Sequence, residues 1–81
     1  MDEAGLRLSQ MQCGAKGRVV GYDNASKPYL RRLLAMGLVP GAEFTVVRRA
    51  PLGDPVEISV LGFLLSLRAD EAAGVRIEAA P

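Results

Sequence analysis

Residues 26–42 read SKPYLRRLLAMGLVPGA, and they carry the clearest helical pattern in this sequence. Leu30, Leu33 and Leu34 fall at positions i, i+3 and i+4, so they share one face of a helix. A leucine face of this kind packs against a core. The stretch therefore predicts one short amphipathic helix whose three leucines are core residues, and truncating each of them is expected to cost roughly 2–5 kcal/mol.

Both ends of this predicted helix carry boundary signals. Ser26 can cap the first free N–H groups. Gly37 can adopt the left-handed conformation that ends a helix, and Leu38 can then fold back onto the last turn, as in a Schellman motif. The pair Pro40-Gly41 follows at once, and it is typical of the central positions of a type II turn. We therefore expect the helix to stop at Gly37 and the chain to reverse sharply into a strand.

The rest of the sequence favours short β-strands. After the helix, apolar residues alternate with polar ones at a period of two, which is the pattern of a half-buried strand. Residues 43–49, 56–60 and 63–68 follow this pattern. Residues 18–22, before the helix, and 75–78, near the end, are rich in β-branched side chains and are also predicted to be strands.

Other segments complete the strand pattern. Leu6–Leu8 alternates apolar and polar residues, which suits a short strand or an extended anchor. Asp70–Gly74 is predicted to form one helical turn, and Phe44 and Phe63 are expected to face inward. The uncharged run 58–67 would promote aggregation if it were exposed. We therefore expect the sheet to close on itself and cover most of this edge.

About five strands and one short helix in 81 residues predict a mainly β fold. The expected architecture is a small, strongly bent antiparallel sheet that forms a partly open barrel, with the helix capping one mouth. There is room for one domain, which we place at residues 6–78, with a flexible tail at residues 1–5 and a second tail at residues 79–81. The first residues lack a secretory signal, and the longest uncharged runs are too short to span a bilayer, so a cytoplasmic location is expected.

The composition leaves few groups that could perform chemistry. The sequence has no histidine, which is the commonest general base and the commonest transition-metal ligand. Cys13 is the one cysteine, and without a histidine to activate it we interpret it as a small, partly buried apolar residue. The carboxylates do not converge, and no glycine-rich phosphate-binding motif is present. We therefore predict no enzymatic activity, no catalytic residues, no cofactor and no intrinsic metal site.

Nucleic acid is a competing class of ligand, because small barrels often bind it. The pairs Arg31-Arg32 and Arg48-Arg49, together with Arg18 and Arg68, could form a basic face. However, the net charge is only +1, and aromatic side chains that could stack on bases are scarce. Solvated surface arginines are the more ordinary interpretation of any one pair.

The loop from Arg48 to Pro55 is unusual because it places an apolar residue, Leu52, between Pro51 and Gly53. Two interpretations remain open from its chemistry. In the first, the prolines stiffen a hairpin and Leu52 tucks onto the barrel. In the second, a preordered loop presents an apolar tip to a partner, and its rigidity lowers the entropic cost of binding.

These segments together resemble the FeoA family, the small cytoplasmic component of the bacterial ferrous iron uptake system. The similarity lies in residues 31–41, in residues 46–58 with their APLGDP loop, and then in Gly62, residues 65–68 and residues 71–72. It extends from about Leu6 to Ile77, which is nearly the whole chain. The APLGDP loop at this distance after MGLVPG is a specific signal, stronger than either motif alone.

The resemblance implies a Src-homology-3-like (SH3-like) barrel and a non-enzymatic accessory role. It implies that the protein binds and modulates FeoB, the membrane permease with a cytosolic GTP-binding domain. The partner would be that domain or the membrane part of FeoB, so the protein would reach the membrane only through FeoB. The expected contacts are Arg31, Arg32, Arg48 and Arg49 as charge partners and the loop residues Pro51, Leu52, Gly53, Asp54 and Pro55, with Leu52 as the apolar anchor.

Two alternatives remain. Iron-dependent repressors carry a similar barrel as a regulatory domain, so the fold alone does not separate a FeoB partner from a nucleic-acid-binding or repressor-type role. The modest net charge leads us to expect no nucleic acid partner. Weak homo-oligomerisation through an exposed sheet edge or through the apolar loop is the second alternative.

Overall fold

The computed structural model describes residues 6–23 and 27–80. Within these residues the chain forms one antiparallel sheet of five strands in the order β4-β3-β2-β1-β5, together with two helices and a 3-10 turn. The prediction of a mainly β fold with five antiparallel strands and a short helix is confirmed. The elements in chain order are a 3-10 turn at Leu8–Gln10, β1 at Lys16–Tyr22, α1 at Lys27–Ala35, β2 at Glu43–Arg49, β3 at Val56–Val60, β4 at Phe63–Leu67, α2 at Ala69–Ala73 and β5 at Val75–Ala79.

Helix α1 ends where the sequence predicts. Gly37 has a φ of +93°, and its N–H donates to the carbonyl of Leu34 at 3.0 Å. The N–H of Leu38 donates to the carbonyl of Leu33, also at 3.0 Å. These two bonds are the pair that defines a Schellman motif, and they satisfy carbonyls that the last turn leaves free.

The sharp reversal after the helix is also confirmed. The N–H of Ala42 donates to the carbonyl of Val39 at 2.9 Å, and Gly41 has a φ of +92° at the third position of this turn. That combination is a type II turn with proline at its second position. The predicted cap, Ser26, lies outside the residues that the structure describes.

The buried face of α1 differs from the predicted one. Leu33 is fully buried as predicted. Leu30 is only half-buried and is not among the side chains that pack against the core, and Leu34 is 45% exposed, so the predictions of Leu30 and Leu34 as core residues were wrong. Tyr29 and Met36 pack against the core on either side of Leu33. Their spacing of i, i+4 and i+7 defines a stripe that is centred on Leu33 and excludes Leu34.

The inward faces of β2 and β3 follow the predicted alternation, and Phe44 is buried as expected. The expectation for Phe63 was wrong, because its side chain is 70% exposed. Phe63 begins β4, and among the described strands none lies beyond β4 to cover its ring. The expectation that Cys13 is partly buried was also wrong, because Cys13 is exposed. The buried apolar side chains are Leu8, Met11, Val19, Leu33, Leu38, Phe44, Val46, Val56, Ile58, Val60, Leu67, Ala72, Val75 and Ile77.

The segment Leu6–Leu8 is an anchor rather than a strand. Arg7 forms an isolated antiparallel bridge with Arg76, and the carbonyl of Leu6 accepts the N–H of Ile77 at 3.2 Å. Leu8 is fully buried and begins the 3-10 turn. The segment therefore lies along β5 and fills part of the core beside it.

The predicted outer boundaries need one revision. Strand β5 continues to Ala79, and the N–H of Ala80 donates to the carbonyl of Lys16 at 3.1 Å, so the predicted tail at residues 79–81 begins too early. Residues 1–5 and Pro81 lie outside the described residues.

The predicted closure of the sheet covers only part of the uncharged run 58–67. Among the described strands, β3 is paired on both sides, whereas β4 is an edge.

Tyr29 ties α1 to α2. Its hydroxyl donates to the carbonyl of Glu71 at 2.7 Å. Burial of the ring, with the nearby negative charges of Glu71 and Asp23, raises the pKa of Tyr29 to about 12. Burial also raises the pKa of Tyr22, whose hydroxyl donates to the carbonyl of Leu38. Both phenols are therefore neutral donors that hold neighbouring backbone in place.

This arrangement predicts a loss of stability at alkaline pH. The folded state holds the Tyr29 proton more tightly than the unfolded chain, so the contribution of Tyr29 to stability should be fully present below a pH of about 10 and be lost as the pH rises to about 12. Tyr29→Phe should lose about 1 kcal/mol at neutral pH, because the hydrogen bond is gone, and should show a shallower alkaline decline. Urea unfolding at several pH values measures both effects. A decline as steep as that of the wild type would contradict this role of Tyr29.

Candidate partner-binding surface

The loop Ala50–Pro55, called here the APLGDP loop, is held by hydrogen bonds at its base. The N–H of Gly53 donates to the carbonyl of Ala50 at 2.7 Å, and the N–H of Ala50 donates to the carbonyl of Pro55 at 3.1 Å. Pro51 and Leu52 are thus the two central residues of a β-turn, and proline favours the first of these positions. These two bonds and Pro51 restrain the backbone of the loop.

Leu52 stands at the tip of this loop with 95% of its side chain exposed. Pro51 and Pro55 beside it are exposed as well. Of the two interpretations that the sequence left open, the one in which Leu52 tucks onto the barrel does not hold. An apolar side chain on an ordered turn can enter a partner's pocket without a large loss of conformational entropy.

Asp54 ties the APLGDP loop to α2. Its Oδ1 accepts the N–H of Ala69, the first residue of that helix, at 3.0 Å. The N–H of Arg68 just before it donates to Oε1 of Glu71 at 2.9 Å. Free N–H groups at the start of α2 are thus satisfied by carboxylates, one of which comes from the loop.

We expect Asp54→Ala to loosen the loop while leaving the fold intact. The lost hydrogen bond to Ala69 should cost about 0.5–2 kcal/mol, the usual range for removing a helix cap. Amide hydrogen exchange should accelerate at Ala69 and at Gly53, and thermal unfolding gives the stability change. Asp70→Ala is the matched control, because within the described residues its carboxylate accepts one N–H, that of the adjacent Glu71. Equal exchange at Ala69 in Asp54→Ala and the wild type would contradict the tie.

Arg49 is an anchor of the same loop rather than a free charge. Its Nη1 donates to the carbonyl of Met11 at 2.9 Å, and the residue is half-buried. Because Arg49 directly precedes Ala50, this hydrogen bond ties the base of the loop to Met11. Arg49 therefore joins the APLGDP loop to the segment that precedes β1.

The other predicted charge partners differ in their availability. Arg32 on α1 forms an ion pair with Glu71 of α2. Arg48 is exposed and lies 3.8 Å from Glu57, measured from Nε to Oε1, which is a loose contact in water. Arg31 is exposed and has no ion pair or side-chain hydrogen bond within residues 6–23 and 27–80. Of the four predicted charge partners, Arg31 and Arg48 are thus the most available to a partner.

Helix α2 contacts both parts of the candidate surface. Its first residue binds Asp54 of the APLGDP loop, and Glu71 in its middle binds Arg32 and Tyr29 of α1. Neither tie could be found from sequence periodicity, because each joins residues far apart in the chain.

The described residues offer little for metal or small-molecule chemistry. Among them, no group of three or more cysteine, aspartate or glutamate side chains is placed to hold a metal ion. An open surface hollow of about 170 Å³ lies between Lys16, Glu43, Phe44, Thr45 and Ser59, and its charged members are one lysine and one glutamate.

Comparison with known proteins gives a consistent result. The chain matches the FeoA domain model over residues 6–79. It is 38% identical to FeoA from Chlorobium tepidum, whose solution structure superposes with a TM-score of 0.85 over 94% of this chain and 71% of that one. It is 27% identical to zinc-complexed FeoA from Stenotrophomonas maltophilia, described as a prokaryotic SH3 domain protein, with a TM-score of 0.78 and 91% of each chain covered.

The fold is thus a small SH3-like barrel, as predicted. The chain belongs to the FeoA family.

A curated relative joins two proteins in one chain. The Fe(2+) transport protein A/Fe(2+) transporter FeoB fusion protein of Porphyromonas gingivalis strain W83 is 36% identical over 73 residues. That match covers 90% of this chain but only 8% of the relative, so this chain spans less than a tenth of its length.

A further likeness concerns the fold alone. A manganese-dependent transcriptional repressor superposes with a TM-score of 0.84 at 16% identity, and the match covers 93% of this chain and 41% of the repressor chain.

In the described part of this chain, no helix is both long and apolar enough to cross a bilayer.

Proposed function

We propose that this protein is a cytoplasmic, non-enzymatic accessory factor of ferrous iron uptake that binds FeoB and modulates its cycle. The observation that carries the proposal is the fusion of a FeoA relative to FeoB in one polypeptide. A fusion keeps two domains at a high effective concentration, which is useful when they act on each other. In this proposal the cytosolic GTP-binding domain of FeoB is the first candidate partner and its membrane part the second.

The APLGDP loop and the exposed arginines supply the proposed contact. Leu52 is the apolar anchor, held on a turn that is already ordered before binding. Arg31 and Arg48 supply positive charge for an acidic surface on FeoB, which would speed association and set the orientation of docking. Asp54 and Arg49 act indirectly, because they hold the loop to α2 and to Met11.

A role in binding nucleic acid is less well supported. Arg18, one member of the candidate basic face, is engaged by Glu78 at 2.7 Å and by Glu43 at 3.0 Å, and these two carboxylates raise its pKa. Arg32 is paired with Glu71, and Arg49 donates to a backbone carbonyl. The remaining arginines are too few to form the dense basic face on which affinity for nucleic acid depends.

Calorimetric titration of this protein with purified FeoB cytosolic domain, and separately with full-length FeoB in detergent, tests the proposal. We expect saturable binding to full-length FeoB. Binding to the isolated cytosolic domain would place the site there, whereas binding to the full-length protein alone would place it in the membrane part. Binding should weaken as salt is raised, because Arg31 and Arg48 are exposed. No binding to either form would overturn the proposal.

A further inference from the structure

The two edges of the sheet are protected very differently. Strand β5 carries Arg76 and Glu78, and the anchor segment Leu6–Leu8 lies along it. Strand β4 reads Phe63-Leu64-Leu65-Ser66-Leu67, with no charge, no proline and no bulge in its register with β3. Among the described strands, β4 pairs with β3 alone. It therefore lacks the features that usually prevent an edge strand from pairing with another chain.

The side chains at this edge are apolar and exposed. Leu61 is 78% exposed, Phe63 is 70% exposed and Leu64 is 68% exposed. The turn between β3 and β4 consists of Leu61 and Gly62, whose φ values of +54° and +84° fit a type I′ turn. Asparagine or aspartate is favoured at the first position of that turn, and leucine there costs roughly 1–2 kcal/mol. This leucine is strained and mostly exposed, so the monomer gains little from it.

The register shows which backbone groups of β4 are free. In a two-residue hairpin the pair next to the turn, here Val60 and Phe63, exchanges hydrogen bonds, and bonded pairs then alternate along the strands. Phe63, Leu65 and Leu67 therefore direct their N–H and C=O groups toward β3. Leu64 and Ser66 direct theirs outward, away from the sheet.

We propose that β4 is a pairing edge for a second copy of this chain. Two β4 strands would align antiparallel about a two-fold axis at Leu65. The outward groups of Leu64 in one copy would bond those of Ser66 in the other, which gives four backbone hydrogen bonds. This inference does not depend on the proposed binding to FeoB, because it uses a different part of the surface.

A second copy fits this edge better than a charged partner does. Strand β4 has no charged side chain that could pair with an opposite charge on a different protein. The outward N–H and C=O groups of Leu64 and Ser66 can pair with the same groups of a second copy that is related by a two-fold axis. Leu61, Phe63 and Leu64 together expose on the order of 350 Å² per copy, or about 700 Å² for the pair. Stable interfaces bury about 1,200–2,000 Å², so the dimer should be weak and concentration-dependent.

Cysteine cross-linking tests the register. In a Cys13→Ser background, which removes the exposed native thiol, Leu65→Cys should form a disulfide-linked dimer under oxidised glutathione. The two Leu65 residues face each other in a non-hydrogen-bonded pair about 4.5 Å apart between Cα atoms, within disulfide range. Leu64→Cys is the matched control: it is more exposed, but its symmetry mate lies on a diagonal about 7–8 Å away and should not cross-link.

Sedimentation equilibrium of the uncross-linked protein over a concentration series completes the test. The wild type should shift from monomer to dimer as concentration rises, and Leu64→Lys should weaken that association by at least about tenfold, because it places a charge in the pairing edge. Circular dichroism checks that each variant is folded. A wild type that stays monomeric throughout, a folded Leu64→Lys variant that dimerises as well as the wild type, or equal cross-linking through Leu64→Cys and Leu65→Cys would overturn the proposal.

Discussion

Replacing Leu33 with alanine is expected to cost about 2–5 kcal/mol of folding free energy. Leu33 is fully buried at the centre of the stripe by which α1 packs on the sheet. A natural domain has roughly 0.05–0.15 kcal/mol of stability per residue, or about 4–12 kcal/mol for this chain. The substitution therefore removes a large part of the total and should leave a substantial unfolded population on mild heating.

Leu34→Ala is the matched control for this prediction. The two leucines are adjacent in the same helix, but Leu34 is 45% exposed, so its truncation leaves a smaller cavity and should cost well under half as much. Urea unfolding followed by circular dichroism gives both values, with similar m-values expected for the two variants. Equal losses for Leu33→Ala and Leu34→Ala would contradict the orientation of α1 in the structure.

Leu52→Asp is expected to have the largest effect on binding to FeoB. In our proposal Leu52 fills an apolar pocket of the partner, and an anchor of this kind contributes at least about 2 kcal/mol, which corresponds to roughly 30-fold in affinity. The cost should be greater for aspartate than for alanine, because a carboxylate would be buried without a partner. The fold should be unaffected, since Leu52 is 95% exposed.

Leu61→Asp is the control for that experiment. It introduces the same charge at another exposed leucine, on the β3–β4 turn and away from the APLGDP loop. Calorimetric titration against full-length FeoB should show near-normal affinity for Leu61→Asp and a large loss for Leu52→Asp. If both folded variants bound like the wild type, Leu52 would be removed from the interface.

Features set by neighbouring residues could be predicted from the sequence. The end of α1 at Gly37 depends on glycine tolerating positive φ, and the following turn depends on Pro40-Gly41, so both were found from local chemistry. The burial of Phe44 and the inward faces of β2 and β3 followed from a period of two. The tip of the APLGDP loop was identified as a candidate contact because an apolar residue between turn-forming residues is unusual.

Features set by packing between distant elements could not be predicted in this way. Leu34 lies outside the core because Tyr29, Leu33 and Met36 form the buried stripe of α1. Which face of α1 is buried depends on its contacts with α2 and the sheet. Phe63 is exposed because its strand is an edge, which periodicity within one strand does not reveal. Arg49 is an anchor because the carbonyl of Met11, far away in the chain, lies within reach of its guanidinium.

In the proposed function, this protein acts on FeoB through contact by the APLGDP loop. This contact can be tested with FeoB reconstituted in lipid vesicles. Ferrous ion uptake and GTP turnover are measured with added wild-type protein or with added Leu52→Asp. We predict that the wild type changes the rate of uptake or of GTP turnover, and that folded Leu52→Asp at the same concentration does not. Rates that are unchanged by the wild type, or changed equally by both proteins, would contradict the claim.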